Sequence, residues 1–189
     1  ILINAIVGIA GGHLIIALVL TMVCCVILGM GVPTTANYII MATTCAPILV
    51  NGMGINKIAA NMFVFYFGIV ADITPPVALA AYAGSAIAKS NPMKTALNAS
   101  RLAIAAFIVP YIFAFNPAML FIDADVVQVV IIIVTSLVGL TGVAGGLEGY
   151  MVTNMNPIQR ILAVVGGLCL IIPGTVPDLA GIAIVGASV

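Results

Sequence analysis

Charge is what this sequence has least of. Only 5% of its 189 residues are charged, five basic and five acidic, so the formal net charge is zero, whereas a soluble domain carries about a quarter. That composition excludes an electrostatic footprint for nucleic acid. Tryptophan is missing and histidine occurs once, as His13. No Ser/His/Asp set, phosphate-cradling P-loop or HExxH helix can be found, and a primary pump would need a nucleotide site that the sequence does not offer. The chain is therefore not expected to be an enzyme. The cysteines Cys24, Cys25, Cys45 and Cys169 show no CxxC or Cys/His spacing and sit in apolar runs. There they read as small hydrophobes, neither disulfide partners nor metal ligands.

What is present in quantity is apolar surface, 64% of the residues. The expected class is an all-α integral membrane protein, one in which no gap of soluble composition interrupts the chain. The sequence opens on Ile1 without an initiator methionine and closes in apolar residues 184–189, which suggests a fragment of a longer protein. Residues 1–10 form a short apolar piece, and His13 after Gly11-Gly12 stands at a helix entrance as an interfacial residue.

Two polar breaks interrupt the apolar sequence, Gly29-Met30-Gly31-Val32-Pro33-Thr34-Thr35 and Asp72-Ile73-Thr74-Pro75-Pro76. In hydrocarbon an unpaired backbone N–H or C=O costs several kcal/mol, so irregular backbone persists only where protein or a wet cavity covers it. Two breaks thus imply a site. The runs 14–28 and 36–50 flank the first, and each is short of the roughly 20 residues that cross a core of about 30 Å. Either they form one kinked span or they form a re-entrant hairpin. The hairpin is preferred, since Gly29, Gly31 and Pro33 interrupt the ladder over more residues than a proline kink requires. Pro33, Thr34 and Thr35 suit the first turn of the returning helix, with a hydroxyl as cap.

Residues 51–56 form a turn and Lys57 marks a membrane surface. The run that follows breaks at Asp72 and resumes from Val77 to Ala88, so residues 57–88 are expected to be one broken helix. Thr74 precedes a proline and is pushed toward extended backbone, and the double proline unwinds the helix. Its second half is rich in small residues and is expected to face protein. Residues 93–122 make the next span with a kink at Pro110, closed by Asp123 and Asp125. Residues 126–140 are apolar, residues 139–150 form a glycine-rich turn containing Glu148, and Asn156-Pro157 opens a run that ends at Pro173-Gly174. Lys89, Lys94 and Arg101 gather at one boundary, assigned to the cytoplasm, which puts Lys57 and the aspartates outside.

Asp72 is the acidic residue deep in an apolar segment. Inserting one costs at least about 2.5 kcal/mol, so it marks an ion or proton path or, alternatively, caps the unwound loop. Thr34, Thr35 and Thr74 add hydroxyls, and the carbonyls near Gly29, Gly31 and Ile73 add more oxygens. Neutral oxygens with at most one carboxylate suit a monovalent hard cation, Na+, rather than a transition metal. Asn37, Asn61 and Ser85 are candidates for substrate contacts or for hydrogen bonds between helices. Tyr66 and Tyr82 are packing residues.

The runs Ile27-Leu28-Gly29-Met30-Gly31-Val32-Pro33-Thr34-Thr35-Ala36, Phe63-Val64-Phe65-Tyr66-Phe67-Gly68, Ile73-Thr74-Pro75-Pro76-Val77-Ala78-Leu79-Ala80-Ala81-Tyr82-Ala83 and Asn91-Pro92-Met93-Lys94-Thr95 resemble the large membrane subunit of tripartite ATP-independent periplasmic (TRAP) transporters. They are closest to the fused permeases that work with TAXI-type binding proteins. The resemblance covers about residues 1–120. It implies half of an inverted-repeat elevator transporter of the bacterial or archaeal inner membrane. Such a protein imports organic acids with Na+ from a periplasmic substrate-binding protein, alongside the rest of the permease and its small membrane subunit. By resemblance the first break is a hairpin tip and Thr74-Pro75-Pro76 a broken helix, with Gly29, Gly31, Thr34 and Thr74 at one Na+ site. Thr35, Asn37 and Pro75 are assigned to the substrate. Residues 1–122 would then be the C-terminal half of the transport domain and 123–189 additional helices. The alternative is a structural membrane subunit or channel in which the breaks only kink helices.

Overall fold

A computed structural model describes residues 6, 8–122, 124–151, 153–171 and 175–188. The expectations placed on residues 1–5, on Asp123 and on Pro173-Gly174 lie outside them. The described residues are helical, with no strand among them and one isolated bridge between Tyr150 and Asn154. The chain divides into two compact units, Ile1–Ala114 and Phe115–Val189.

The first unit begins with α1 (Leu14–Gly29), apolar almost all round, with exposed His13 at its N-cap. Met30 turns extended, Gly31 takes φ +73°, and α2 (Thr34–Thr44) runs back. The two helices fold back on one another. Cys24 and Cys45 are 21 positions apart, which in one continuous helix would separate them by about 30 Å, yet their sulfurs lie 3.8 Å apart across the two arms. Pro33 is the N-cap residue itself and no hydroxyl caps α2, contrary to expectation. The Thr43 and Thr44 hydroxyls instead bond back to the Ile39 and Ile40 carbonyls near the helix end.

A π-turn (Ile48–Gly52) leads to α3 (Lys57–Val70), capped by Asn56 Oδ1 accepting from the Ile58 N–H at 2.8 Å. One face of α3 supplies an aromatic core: Phe63 stacks edge-on with Phe67 and Tyr111 at 4.8 and 5.4 Å, and Phe67 meets Phe107 at 6.3 Å. Such pairs contribute about 0.5–1.5 kcal/mol beyond burial. The helix stops at Val70 and tightens into a 3₁₀ turn (Ala71–Ile73). It resumes as α4 (Leu79–Ile87) only after Ala78 has adopted a left-handed conformation at φ +33°. Thr74 is extended (φ −100°, ψ 126°), as its place before Pro75 dictates.

Only the Ala81 and Ser85 side of α4 is covered, packing with Ala78 against Ala96 of α5 (Pro92–Leu102). Gly84 on the other side has nothing within 4 Å, so the small-residue helix is only half enclosed in this unit. α5 and α6 (Ile104–Phe115) meet at a 41° bend at Ala103, not at Pro110, which sits buried inside α6. One turn before the bend the Ser100 hydroxyl reaches both the Ala96 carbonyl (3.1 Å) and the Ile73 carbonyl (2.9 Å). Back-bonding of this kind bends helices.

In the second unit a 3₁₀ turn (Pro117–Leu120) precedes α7 (Val126–Glu148), α8 (Pro157–Cys169) and α9 (Thr175–Ser188). The expected glycine-rich turn at 139–150 is instead the second half of α7, and the chain turns only at Gly149 (φ +80°). Its glycines are a contact surface. A Cβ added to Gly139 would fall 2.7 Å from the Gly167 carbonyl oxygen, and one on Gly146 2.7 Å from that of Arg160. Small residues at helical spacing let two backbones approach, the way apolar helices associate in lipid. Arg160 then closes the end of α7, with Nε donating to the Gly146 carbonyl at 2.9 Å and Nη2 to that of Leu147 at 2.7 Å. At 23 residues α7 is long and apolar enough to cross a membrane. Gly146→Ala should therefore lower stability by about 1–3 kcal/mol through overpacking. Gly84→Ala, where space is open, should be neutral or stabilising by up to about 1 kcal/mol. Thermal unfolding in detergent compares the two, and equal midpoints would contradict a glycine-packed interface.

Candidate functional site

The breaks meet. A Cβ on Gly29, the last residue of α1, would lie 2.9 Å from the Ala71 Cβ, 3.1 Å from the Gly68 carbonyl oxygen and 2.8 Å from Asn37 Nδ2. Only hydrogen fits between the hairpin tip and the end of α3. Two residues on, Gly31 is exposed, and a Cβ added there would only reach ordinary contact with the Leu79 side chain of α4, at 3.9 Å. The tip is therefore pressed against Ala71, before the unwound residues, and lies near Leu79 after them.

Asn37 fastens this contact. It is 1% exposed, and its Nδ2 donates to the Gly68 carbonyl at 3.0 Å, while Oδ1 is buried without a partner among the described residues. Gly68 is small for the same reason as Gly29, since a Cβ there would meet Asn37 Nδ2 and Met41 Sδ at 3.1 Å. A second tie joins α2 to α3, where the Tyr38 hydroxyl donates to Asn61 Oδ1 at 3.2 Å and its ring meets Phe65 edge-on.

The unwound stretch is held from three directions. The Thr74 hydroxyl donates to the Val70 carbonyl at 2.7 Å, Ser100 donates to the Ile73 carbonyl, and the Tyr82 hydroxyl donates to the Pro76 carbonyl. Ser85 bonds to the Tyr82 carbonyl within α4. Ile73, expected to offer its carbonyl to an ion, already has it engaged. Thr74 keeps its oxygen lone pairs, because its bond uses only the hydrogen.

Of the residues singled out in the sequence, Gly29 and Asn37 meet at this junction, while Gly31 and Thr74 lie on the two adjoining breaks, Gly31 exposed and Thr74 half-buried. Thr34 and Thr35 are exposed in the first turn of α2, and Asp72 and Pro75 are half-buried in the unwound stretch. Sequence reasoning missed Ala71 and Ser100. The signal for Ala71 was a small side chain directly after the apolar run of α3; for Ser100 no local pattern stands out.

The oxygens fit a small hard cation. An unpaired buried acceptor costs about 1–3 kcal/mol, and Asn37 Oδ1 is one. The Thr74 hydroxyl and the backbone carbonyls of Gly29 and Gly31 are likewise neutral oxygens, the donor type such a cation takes.

A hairpin tip seated on an unwound helix, in a chain so apolar and so poor in charge, is the arrangement of secondary membrane transporters. The family model described as tripartite ATP-independent periplasmic transporter, DctM component, matches residues 1–128. The chain belongs to that family, and it is a permease component of an integral membrane transport system. No curated protein and no solved structure matches it.

Asn37→Ala should remove the bond to Gly68 and leave that carbonyl buried and unpaired, costing about 1–3 kcal/mol. Gly29→Ala should cost about as much by pushing the tip off Ala71. Protease accessibility of the hairpin in membranes checks both, and wild-type protection in the two variants would show that the seat is elsewhere.

Proposed function

We propose that this chain imports organic acids together with Na+, taking them from a periplasmic substrate-binding protein, and that the junction of the two breaks holds the coupling ion. The seating of Gly29 on Ala71 and on the Gly68 carbonyl, at the end of the helix that breaks, carries the reading. Irregular backbone covered by protein is what an ion site inside a bilayer needs.

The ion is assigned to Gly29, Gly31, Thr34 and Thr74, with carbonyl and hydroxyl oxygens as ligands. Thr35, Asn37 and Pro75 are assigned to the carboxylate, near the N-terminal end of α2, whose unpaired N–H groups favour negative charge. Asp72 stands in the unwound stretch as the titratable group of an ion or proton path. The hairpin and broken helix would move together as an elevator, with the permease's remaining half and its small membrane subunit completing the machine. Lys89, Lys94 and Arg101 place their boundary on the cytoplasmic side of a bacterial or archaeal inner membrane. The hairpin disfavours a subunit in which the breaks merely kink helices, because Cys24 and Cys45 meet across it.

The test is uptake by the full-length permease in proteoliposomes with its binding protein. Thr74→Ala and Thr34→Ala should each raise the Na+ concentration for half-maximal uptake about tenfold, equivalent to about 1.4 kcal/mol. Unchanged Na+ dependence in both would remove the ion assignment. Asp72→Asn should flatten the pH dependence of uptake, and a pH profile identical to wild type would exclude a proton path through that carboxyl.

A further inference from the structure

The second unit contains a polar cavity that the transport reading does not use. It measures about 410 Å³ and lies between α7 and α9, with Asp125, Asp178, Asn116 and Gln128 among its lining residues. None of the residues lining it is basic. It runs from Asp125, which precedes α7 without capping it through its side chain, to Ser136, eleven residues on, or about 16 Å along the axis. Gln128, Ile132 and Ser136 recur every four residues, so the cavity follows one stripe of a helix long enough to span a bilayer.

Ser136 marks the cavity as more than an acidic cleft. It is 3% exposed and makes no side-chain hydrogen bond among the described residues, whereas its neighbour Thr135 donates back to the Ile131 and Ile132 carbonyls. Thr21 Oγ1 and Asn37 Oδ1 are the unpaired side-chain oxygens sealed inside the described structure, and Ser136 Oγ is not among them. Its hydroxyl therefore keeps its access through the cavity it lines. An apolar spanning helix that carries a free hydroxyl and a carboxamide toward two carboxylates marks a ligand path.

We propose that this cavity binds an ammonium group carried on an apolar body, with Asp178 opposing the charge, Asp125 drawing the cation in at the mouth and Ser136 accepting one N–H. The size decides against a bare metal ion, since 410 Å³ falls in the range of small-molecule sites. The walls decide for an organic cation, because Ile132 and Leu170 offer apolar contact that a hydrated ion would not use. The ammonium belongs either to a free amine or to the headgroup of phosphatidylethanolamine.

The experiment uses the full-length protein, delipidated in detergent, titrated with n-butylammonium by calorimetry with sodium chloride and n-butanol as controls. Lipid retained on the undelipidated protein is measured by mass spectrometry. Expected results are saturable butylammonium binding, at least about tenfold weaker in Asp178→Asn, weaker in Ser136→Ala, and indifferent to equimolar sodium. Retained phosphatidylethanolamine that is lost in Asp178→Asn identifies the lipid as the source, and its absence with butylammonium binding intact identifies a free amine. Should Asp178→Asn not fold, Ser136→Leu, which fills the cavity from one wall, must abolish binding. No binding of either probe, equal binding in all variants, or competition by sodium at equal concentration overturns the proposal. Sodium-coupled uptake is a separate readout, so failure here leaves the hairpin assignment untouched.

Discussion

The hydrogen bond from Asn37 to the Gly68 carbonyl, closed over a glycine at position 29, is the constraint on which the first unit depends. It lies at 3.0 Å with its donor almost fully buried. Buried amide bonds of this kind contribute modestly when made and cost more when half-broken, because the abandoned partner keeps its desolvation penalty. The tip therefore has one seat, and displacing it strands both the Gly68 carbonyl and the Asn37 amide.

The seat works because three small residues converge. Gly29, Gly68 and Ala71 bring two backbones within contact distance, where a single added Cβ would already overlap. Once there, the irregular peptide groups on either side need other partners. Thr74, Ser100 and Tyr82 supply them to the Val70, Ile73 and Pro76 carbonyls. The unwinding caused by two prolines is thereby made compatible with a greasy surrounding. Polar groups that no proline or glycine pattern would single out turn the break into a defined surface.

How much of this was legible in the sequence follows from the range of each effect. The prolines at 75 and 76 and the glycines at 29 and 31 act on their own backbone, so the breaks, the extended Thr74 and the hairpin could be read locally. The tie from Ser100 to Ile73, close to the bend at Ala103, could not, because it joins residues 27 positions apart. Pro110 offered the stronger local signal, yet it sits inside a helix. The glycines of 139–146 misled for a related reason. Conformational freedom and lack of volume are two properties of one residue, and only a neighbouring helix decides which is used. Here Gly167 and Arg160 on α8 decide for volume.

The scarcity of charge shapes both polar features in the same way. A carboxylate alone inside an apolar helix is costly, but hydroxyls and amides can be carried in at modest cost if they bond back to their own backbone. Thr135 does so and is thereby silenced as a donor, as are Thr43 and Thr44. Thr74 bonds back to Val70 and yet keeps acceptor capacity in an unwound stretch. Ser136 and Asn37 Oδ1 do not bond back at all. Where hydroxyls are paired at home, the buried oxygens left over are the ones from which a ligand site can be built. At the hairpin they are neutral, which on the proposed reading favours weak, reversible capture of a monovalent cation over tight retention, as a carrier that must release its ion requires.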